Sequence, residues 1–306
     1  MNGMLLMFIG FIFVIALAIA FFNLVLKRNE QDDAMVDRLI ELNELTERNK
    51  MEKFMRDNDF YQVYQPFVDS ATGKTVGFEA LSRLHGEAKG VTMPDTFLKK
   101  IKEENLFEKF DMFVFKKCCE WIKGFDEEFF VSCNFSRTTL VAKGAAARIA
   151  KAADDAGVRH SALAIEILED ELDDGGGGMR RNIAELKEMG FKIYLDDFGK
   201  PNTSVSDLMS YHPDVIKIDK SLLDNSLSED GRRLFKSVIN FAKESGARAL
   251  CEGIETKEQA EEAIGFGCDM MQGFYYCKPM QAENPGAFDG LVNCEKQIKN
   301  VSKKQK

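Results

Sequence analysis

Residues 191–197 read FKIYLDD and residues 214–219 read DVIKID. Each is a short apolar run with acid at its end, the pattern of a strand buried on both faces that delivers a polar group at its tip. Moving outward, the same kind of run recurs as FFVSCNF (129–135), ALAIEIL (162–168), RALCEGI (248–254) and a final short QGFYY (272–276). Helical stretches fall between these runs, around residues 95–123, 180–189, 229–245 and 256–265. Alternation of this kind argues for a mainly parallel sheet, and about eight strands over roughly 250 residues is the scale of a (β/α)8 barrel. The opening differs. YQVYQPFV and TVGFEAL are separated only by Asp69 to Lys74, too short for a crossover helix, so these two strands are expected to pair antiparallel. The expected fold is therefore α/β, a modified TIM-type (β/α)8 barrel with an antiparallel first strand pair, preceded by one transmembrane helix and a short helical stalk.

Successive strand residues face opposite ways, which sorts each strand into a side toward the helices and a side toward the barrel axis. Glu79 lies between Phe78 and Ala80, Asn134 between Cys133 and Phe135, Glu166 between Ile165 and Ile167, and Lys217 between Ile216 and Ile218. If the apolar flanks pack on helices, these polar residues point inward; Asp196 and Glu252 sit near the ends of their strands, where barrel active sites collect. A single acid at a strand end is more often a turn former or helix cap than a ligand. Several on different strands and one face are harder to explain without a cation, because buried carboxylates repel one another and are costly to desolvate. Only His85, His160 and His212 occur, none in these strands, so a histidine-rich zinc or iron centre is disfavoured and Mg2+ or Mn2+ fits the oxygen donors. The neighbouring Asp196 and Asp197 suit a two-ion site, and Lys217 reads either as a donor to water or phosphate or as a structural ion pair.

With 41 basic against 50 acidic residues the net charge is -9, and the bases are scattered, which argues against duplex nucleic acid as a partner. Seven cysteines with no C-x-x-C pair predict reduced thiols in a cytosol. Met4 to Leu26 is a run of 23 residues without charge, about 35 Å as a helix, enough to cross a bilayer. Lys27 and Arg28 follow it and place the remainder in the cytoplasm, so the expected location is a single-pass inner or cytoplasmic membrane protein. A cleaved signal peptide with Ala18-Ile19-Ala20 as its site is the competing reading, but the run is too long and no base precedes it. In the charged segment that follows, Met35, Leu39 and Leu42 start a helical stripe that lapses at Thr46, Asn49 and Lys53, a stalk that either dimerises briefly or is simply solvated. The expected organisation is an anchor over 1–27, a charged linker over 28–56, a catalytic domain over 57–290 and a polar, disordered tail over 291–306. Asp173-Asp174 with Gly175 to Gly178 reads as a loop rather than a phosphate cradle.

The ordered motifs resemble those of the EAL-domain phosphodiesterases that linearise cyclic di-GMP. They are Tyr64-Gln65-Pro66, Glu79-Ala80-Leu81 within GFEALSRL, Asn134 in VSCNFS, EILE from Glu166 to Glu169, DDFG from Asp196 to Gly199, KID from Lys217 to Asp219, EGIET from Glu252 to Thr256, and QGFYYCKP ending at Pro279. The resemblance implies that Glu79, Asn134, Glu166, Asp196, Asp197 and Glu252 hold two Mg2+ or Mn2+ ions. It further implies that Glu79, Asp197, Lys217 and Glu252 act in catalysis, and that Gln65, Leu81, Arg83, Gln272 and Pro279 contact the ligand. Glu169 and Glu255 match loop-tethering positions. The implied reaction is in-line attack of activated water on one phosphodiester, giving pGpG, in a homodimer.

One segment departs from the family pattern. Where the family reads roughly T/A-G-Y-S-S after DDFG, this chain has Lys200-Pro201-Asn202-Thr203-Ser204. Proline cannot take a positive φ, so the loop must differ if the family's glycine uses one. Two readings stay open: an active phosphodiesterase, favoured by the complete set of acids, and a weakly active or inactive cyclic di-GMP receptor signalling through dimerisation or a partner, favoured by the altered loop.

Overall fold

The computed structural model describes residues 60–85, 91–92, 94–125, 129–168, 172, 176–199, 210–226, 228–283 and 288, together with scattered residues from 35 to 54. The chain divides into two units, Met1–Phe54 and Met55–Lys306. In the first unit the described residues are helical, with the Thr46 hydroxyl donating to the Leu42 carbonyl at 2.8 Å. The apolar run Met4 to Leu26 and the tail 291–306 lie outside the described residues. Among those described, no helix is long and apolar enough to cross a membrane.

The second unit opens with β1 (Phe60–Asp69), β2 (Thr75–His85) and the short β3 (Val91–Thr92). Next come α1 (Pro94–Glu103), α2 (Phe107–Ile122), β4 (Phe130–Asn134), α3 (Arg137–Val141), α4 (Ala145–Ala156) and β5 (Leu163–Leu168). The chain continues through α5 (Gly178–Glu188), β6 (Lys192–Phe198), β7 (Val215–Ile218), α6 (Lys220–Asn225), α7 (Glu229–Glu244), β8 (Arg248–Cys251), α8 (Lys257–Phe266) and β9 (Met270–Met271). The strand order β1-β9-β8-β7-β6-β5-β4-β2, closed by β1 against β2, is a barrel of eight strands, with β3 attached to the far end of β2. β1 runs antiparallel to both its neighbours, as the short Asp69–Lys74 connection requires, and the other ring pairings are parallel.

Three expectations are corrected. The helix expected over 95–123 is two helices, because Asn105 takes a left-handed φ of 55° after α1, a conformation asparagine tolerates better than most residues. The last strand is Met270–Met271, and 272–276 forms the turn that leaves it. Cys251 and Cys268, with Cα atoms 6.3 Å apart, form a disulfide rather than two reduced thiols; β8 and the approach to β9 bring together residues that sequence spacing alone could not pair.

Helices cover the outside of the ring. Leu195, Ile216, Ile218, Ala249, Cys251 and Met271 face outward from β6 to β9 and pack with Phe235, Ile239, Ala242 and Ala263 of α7 and α8. Inside the ring, Phe67, Ala164, Tyr194, Val215, Leu250 and Met270 form a buried apolar cluster, with Phe130 packed against it. Gly77 makes room for that floor, since a Cβ there would stand 2.5 Å from the Phe130 ring.

Candidate metal centre

The site follows from the floor by the period of a strand. Two residues further along each parallel strand, on the same face, Phe130 gives way to Ser132, Ala164 to Glu166, Tyr194 to Asp196, Val215 to Lys217, Leu250 to Glu252 and Met270 to Gln272. In antiparallel β1 the step runs backward, from Phe67 to Gln65, which pairs with Glu79 of β2. The apolar floor thus carries a polar storey at the carboxyl ends of the parallel strands. Asn134 stands beside Glu166 as its strand partner, one step nearer the mouth than Ser132. Placing a charge this deep requires partners, and the chain supplies them from different strands.

Lys217, 1 % exposed, sits at the centre. Its Nζ lies 2.9 Å from Glu252 Oε1, 3.0 Å from Asp196 Oδ1, and 3.2 Å from both Glu79 Oε1 and Glu166 Oε2. Gln272 donates to Glu79 Oε2 at 2.8 Å, and Gln65 donates to the Cys277 carbonyl at 3.0 Å. Glu166 is fully buried, yet its Oε1 has no hydrogen-bond partner. Such an orphan carboxylate oxygen is costly unless a cation reaches it.

Asp197 reaches the site through a local fault in the strand. Strict alternation would send adjacent Asp196 and Asp197 to opposite faces. The β6–β7 register slips between Leu195 and Phe198, and Asp197 takes a left-handed φ of 63°. A bulge of this kind re-aims a side chain, at a cost of about 1–3 kcal/mol for a non-glycine residue held there. Its result is two overlapping trios whose ligand oxygens lie within 4.8 Å of one another: Glu79, Glu166 and Asp196, and Asp196, Asp197 and Glu252. Asp196 belongs to both.

The protonation pattern shows the same excess of negative charge. Burial drives Glu166 well above the ordinary carboxylate range despite Lys217, and it raises Asp196 in the same sense. Burial likewise pushes Glu252 up to about 8. Glu79 moves the other way: burial opposes its ionisation, but the Lys217 charge and the Gln272 hydrogen bond outweigh burial and hold it below its usual value. Lys217 is raised well above the lysine range, since its four acids overcome its desolvation. One ammonium faces four carboxylates here, so Glu166, Asp196 and Glu252 ionise alongside Glu79 only if further positive charge enters. Hard divalent cations with oxygen ligands meet that need, and the residues present fit them.

A cleft of about 270 Å³ opens beside the acids, lined by Gln65, Glu79, Glu252 and Gln272 together with Lys220, Glu255 and Phe274. Leu81 and Arg83 lie on the Glu79 face of β2, two and four residues on, with Arg83 Nη1 donating to the Ser82 carbonyl at 2.8 Å. Pro279 precedes Met280, which bridges to Tyr64. Glu255 is exposed and pairs with Lys220 at 3.8 Å, while its backbone N–H donates to Gln259 Oε1 within the capping structure of α8. Glu169 and the segment Lys200 to Ser204 lie outside the described residues. Lys220 and Phe274, the latter 55 % exposed, line the cleft without having been singled out. Lys220 opens a helix directly after KID, and Phe274 falls in QGFYY, which reads as a strand, although strand alternation does not apply to the turn it occupies.

A family model described as EAL domain matches residues 48–279. The biofilm architecture maintenance protein MbaA of Vibrio cholerae is 29% identical over 241 residues, 76% of this chain and 30% of that protein. The probable cyclic di-GMP phosphodiesterase PdeB of Escherichia coli is 28% identical over 240 residues, 77% of this chain and 46% of that protein. The chain spans 30% to 31% of the length of the first three curated relatives it matches. Among solved structures, an EAL domain protein from Listeria monocytogenes superposes with a TM-score of 0.67 at 25% identity, covering 74% of this chain and 90% of that one. The PaMucR phosphodiesterase in complex with c-di-GMP shares the fold, with a TM-score of 0.69 at 23% identity over 79% of this chain and 98% of the other.

Proposed function

Because the chain belongs to the EAL domain family, we propose that it hydrolyses one phosphodiester of cyclic di-GMP to linear pGpG with the help of Mg2+ or Mn2+. The observation that carries this reading is the pair of carboxylate trios sharing Asp196 around the buried Lys217. Glu79, Asn134, Glu166, Asp196, Asp197 and Glu252 would hold the cations. When bound, two divalent cations supply Lewis acidity at the phosphodiester oxygens and lower the pKa of water. Asp197, re-aimed by its bulge, takes the proton from the attacking water. Lys217 keeps Glu79, Glu166, Asp196 and Glu252 converged and presents positive charge toward the phosphoryl oxygens. Arg83 offers a planar two-toothed donor to the phosphate. Gln65, Leu81, Gln272 and Pro279 contact the dinucleotide along the cleft.

The second reading, a receptor that binds cyclic di-GMP without turnover, draws on Lys200-Pro201-Asn202 after DDFG. Chromatography of cyclic di-GMP incubated with the full chain and Mn2+ separates the two. The first reading expects pGpG from the unmutated chain and none from Glu79→Ala; binding without product from the unmutated chain overturns it in favour of the receptor. The proposal also places Met4 to Leu26 across a membrane, with residues 57–290 in the cytoplasm acting as a homodimer. It is supported by the uncharged length of that run and by the Lys27-Arg28 that follows it.

A further inference from the structure

We infer that Asp111, on α2 and outside the acid cluster, is the positioning residue that sets Asn134 as a metal ligand. This rests on the metal-binding reading above. Asp111 is 4 % exposed. A single oxygen, Oδ2, accepts from the Ser136 backbone N–H at 2.9 Å, the Ser136 hydroxyl at 2.6 Å and the Thr139 hydroxyl at 2.5 Å. All three donors lie in the first five residues after Asn134, where the strand β4 turns into α3.

That turn is held from two sides. The Phe135 backbone N–H donates to the Glu166 carbonyl at 3.0 Å, which ties the residue after Asn134 to the strand bearing Glu166. The Phe135 ring packs on Phe115 of α2 at a centroid distance of 5.5 Å. Asp111, one helical turn before Phe115, fixes the next residue. Asn134 itself is exposed, on the last residue of a strand, where a side chain would otherwise sample several directions. Hydrogen bonds to a carboxylate oxygen are shorter and about twice as strong as those to a neutral one, so three converging on Oδ2 hold the turn firmly. Partners behind a ligand typically alter metal affinity by about 10–100-fold when removed.

A purely structural role would predict only a weaker α3. Asn182 provides the control: it donates to the Leu140 and Ala142 carbonyls at 2.8 and 3.0 Å and so secures the opposite end of the same helix. Calorimetric titration of the full chain with Mn2+ is expected to show affinity lowered about tenfold or more in Asp111→Ala, only partly restored in Asp111→Asn, whose neutral oxygen accepts the same donors more weakly, and unchanged in Asn182→Ala despite a lower Tm. Equal affinity in Asp111→Ala and the unmutated chain, or equal losses in Asp111→Ala and Asn182→Ala, would overturn the inference while leaving the function standing. Failure of the unmutated chain to bind Mn2+ would overturn both. Should Asp111→Ala not fold, Thr139→Val removes one hydroxyl donor to Asp111 and leaves the Ser136 cap of α3 in place; affinity lowered about threefold supports the inference, and unchanged affinity overturns it.

Discussion

Two storeys of side chains fill the same barrel, two residues apart on the same strands, and they do opposite work. The lower storey, Phe67, Phe130, Ala164, Tyr194, Val215, Leu250 and Met270, is apolar and closes the barrel as a packed core. The upper storey, with Glu79, Glu166, Asp196, Lys217 and Glu252, is charged, buried and held together by one lysine. A single barrel thus separates stability from chemistry by one step of strand period. The floor contributes the burial energy that lets the storey above it remain electrostatically incomplete.

The comparison breaks most visibly at Lys217. Removing one partner from a buried ionic cluster leaves the other charges uncompensated, at a cost of roughly 3–5 kcal/mol. Lys217→Met is therefore expected to destabilise the chelated chain by about that amount, and saturating Mn2+ should raise its Tm by more than it raises that of the unmutated chain. A chelated Tm equal to the unmutated value would show that the acids do not depend on the lysine.

In the storey below, Leu250 has no polar partner to lose. Leu250→Ala should cost about 2–5 kcal/mol through lost burial and the cavity left behind. Unlike Lys217→Met, it should lose the same stability with and without Mn2+, and its folded fraction should bind Mn2+ with unchanged affinity. A metal-dependent loss at this position would mean the two storeys are coupled.

The contrast between the storeys also explains what was legible in the sequence. Glu79, Glu166 and Lys217 could be read inward because each sits between apolar neighbours in a regular strand, where alternation holds. Asp197 defeats that rule, because alternation sends it away from Asp196 and only the bulge returns it; the pairing of adjacent carboxylates and the family resemblance, not periodicity, point to it. QGFYY reads as the last strand because of its aromatic run, while the strand itself is Met270–Met271. The real pairing is set by Asp269, whose carboxylate accepts from the Ala249 N–H at 2.8 Å just before β9. Cys251 and Cys268 are 17 residues apart, and nothing local marks them as neighbours. Lys220, Phe274 and Asp111 escaped because a cleft wall and a support behind a turn have no period to read.

The smallest expected effect tests the upper storey through its protons. Burial raises Glu252 to about 8, and raises Asp196 and Glu166, so the metal-free folded chain binds more protons than the unfolded chain once pH exceeds the ordinary carboxylate range. Stability from Glu252 is complete below about pH 4.5, the unfolded value for a glutamate, and is lost as pH rises through about 8, with Asp196 and Glu166 acting in the same sense. Glu79, whose value is lowered, works in the opposite sense only at more acidic pH. Because the Glu252 side chain keeps 18 % exposure and shares Lys217, the loss is discounted to on the order of 1 kcal/mol, a few degrees in Tm. Differential scanning calorimetry in chelator should show Tm falling between pH 6 and pH 9, with Glu252→Gln removing part of the slope and Glu166 and Asp196 accounting for the rest. Saturating Mn2+ competes with those protons, so the gap between loaded and chelated Tm should widen over the same interval. A chelated Tm that stays level or climbs from pH 6 to pH 9 would mean the acids are already balanced without a cation, and the distinction between the two storeys would lose its electrostatic basis.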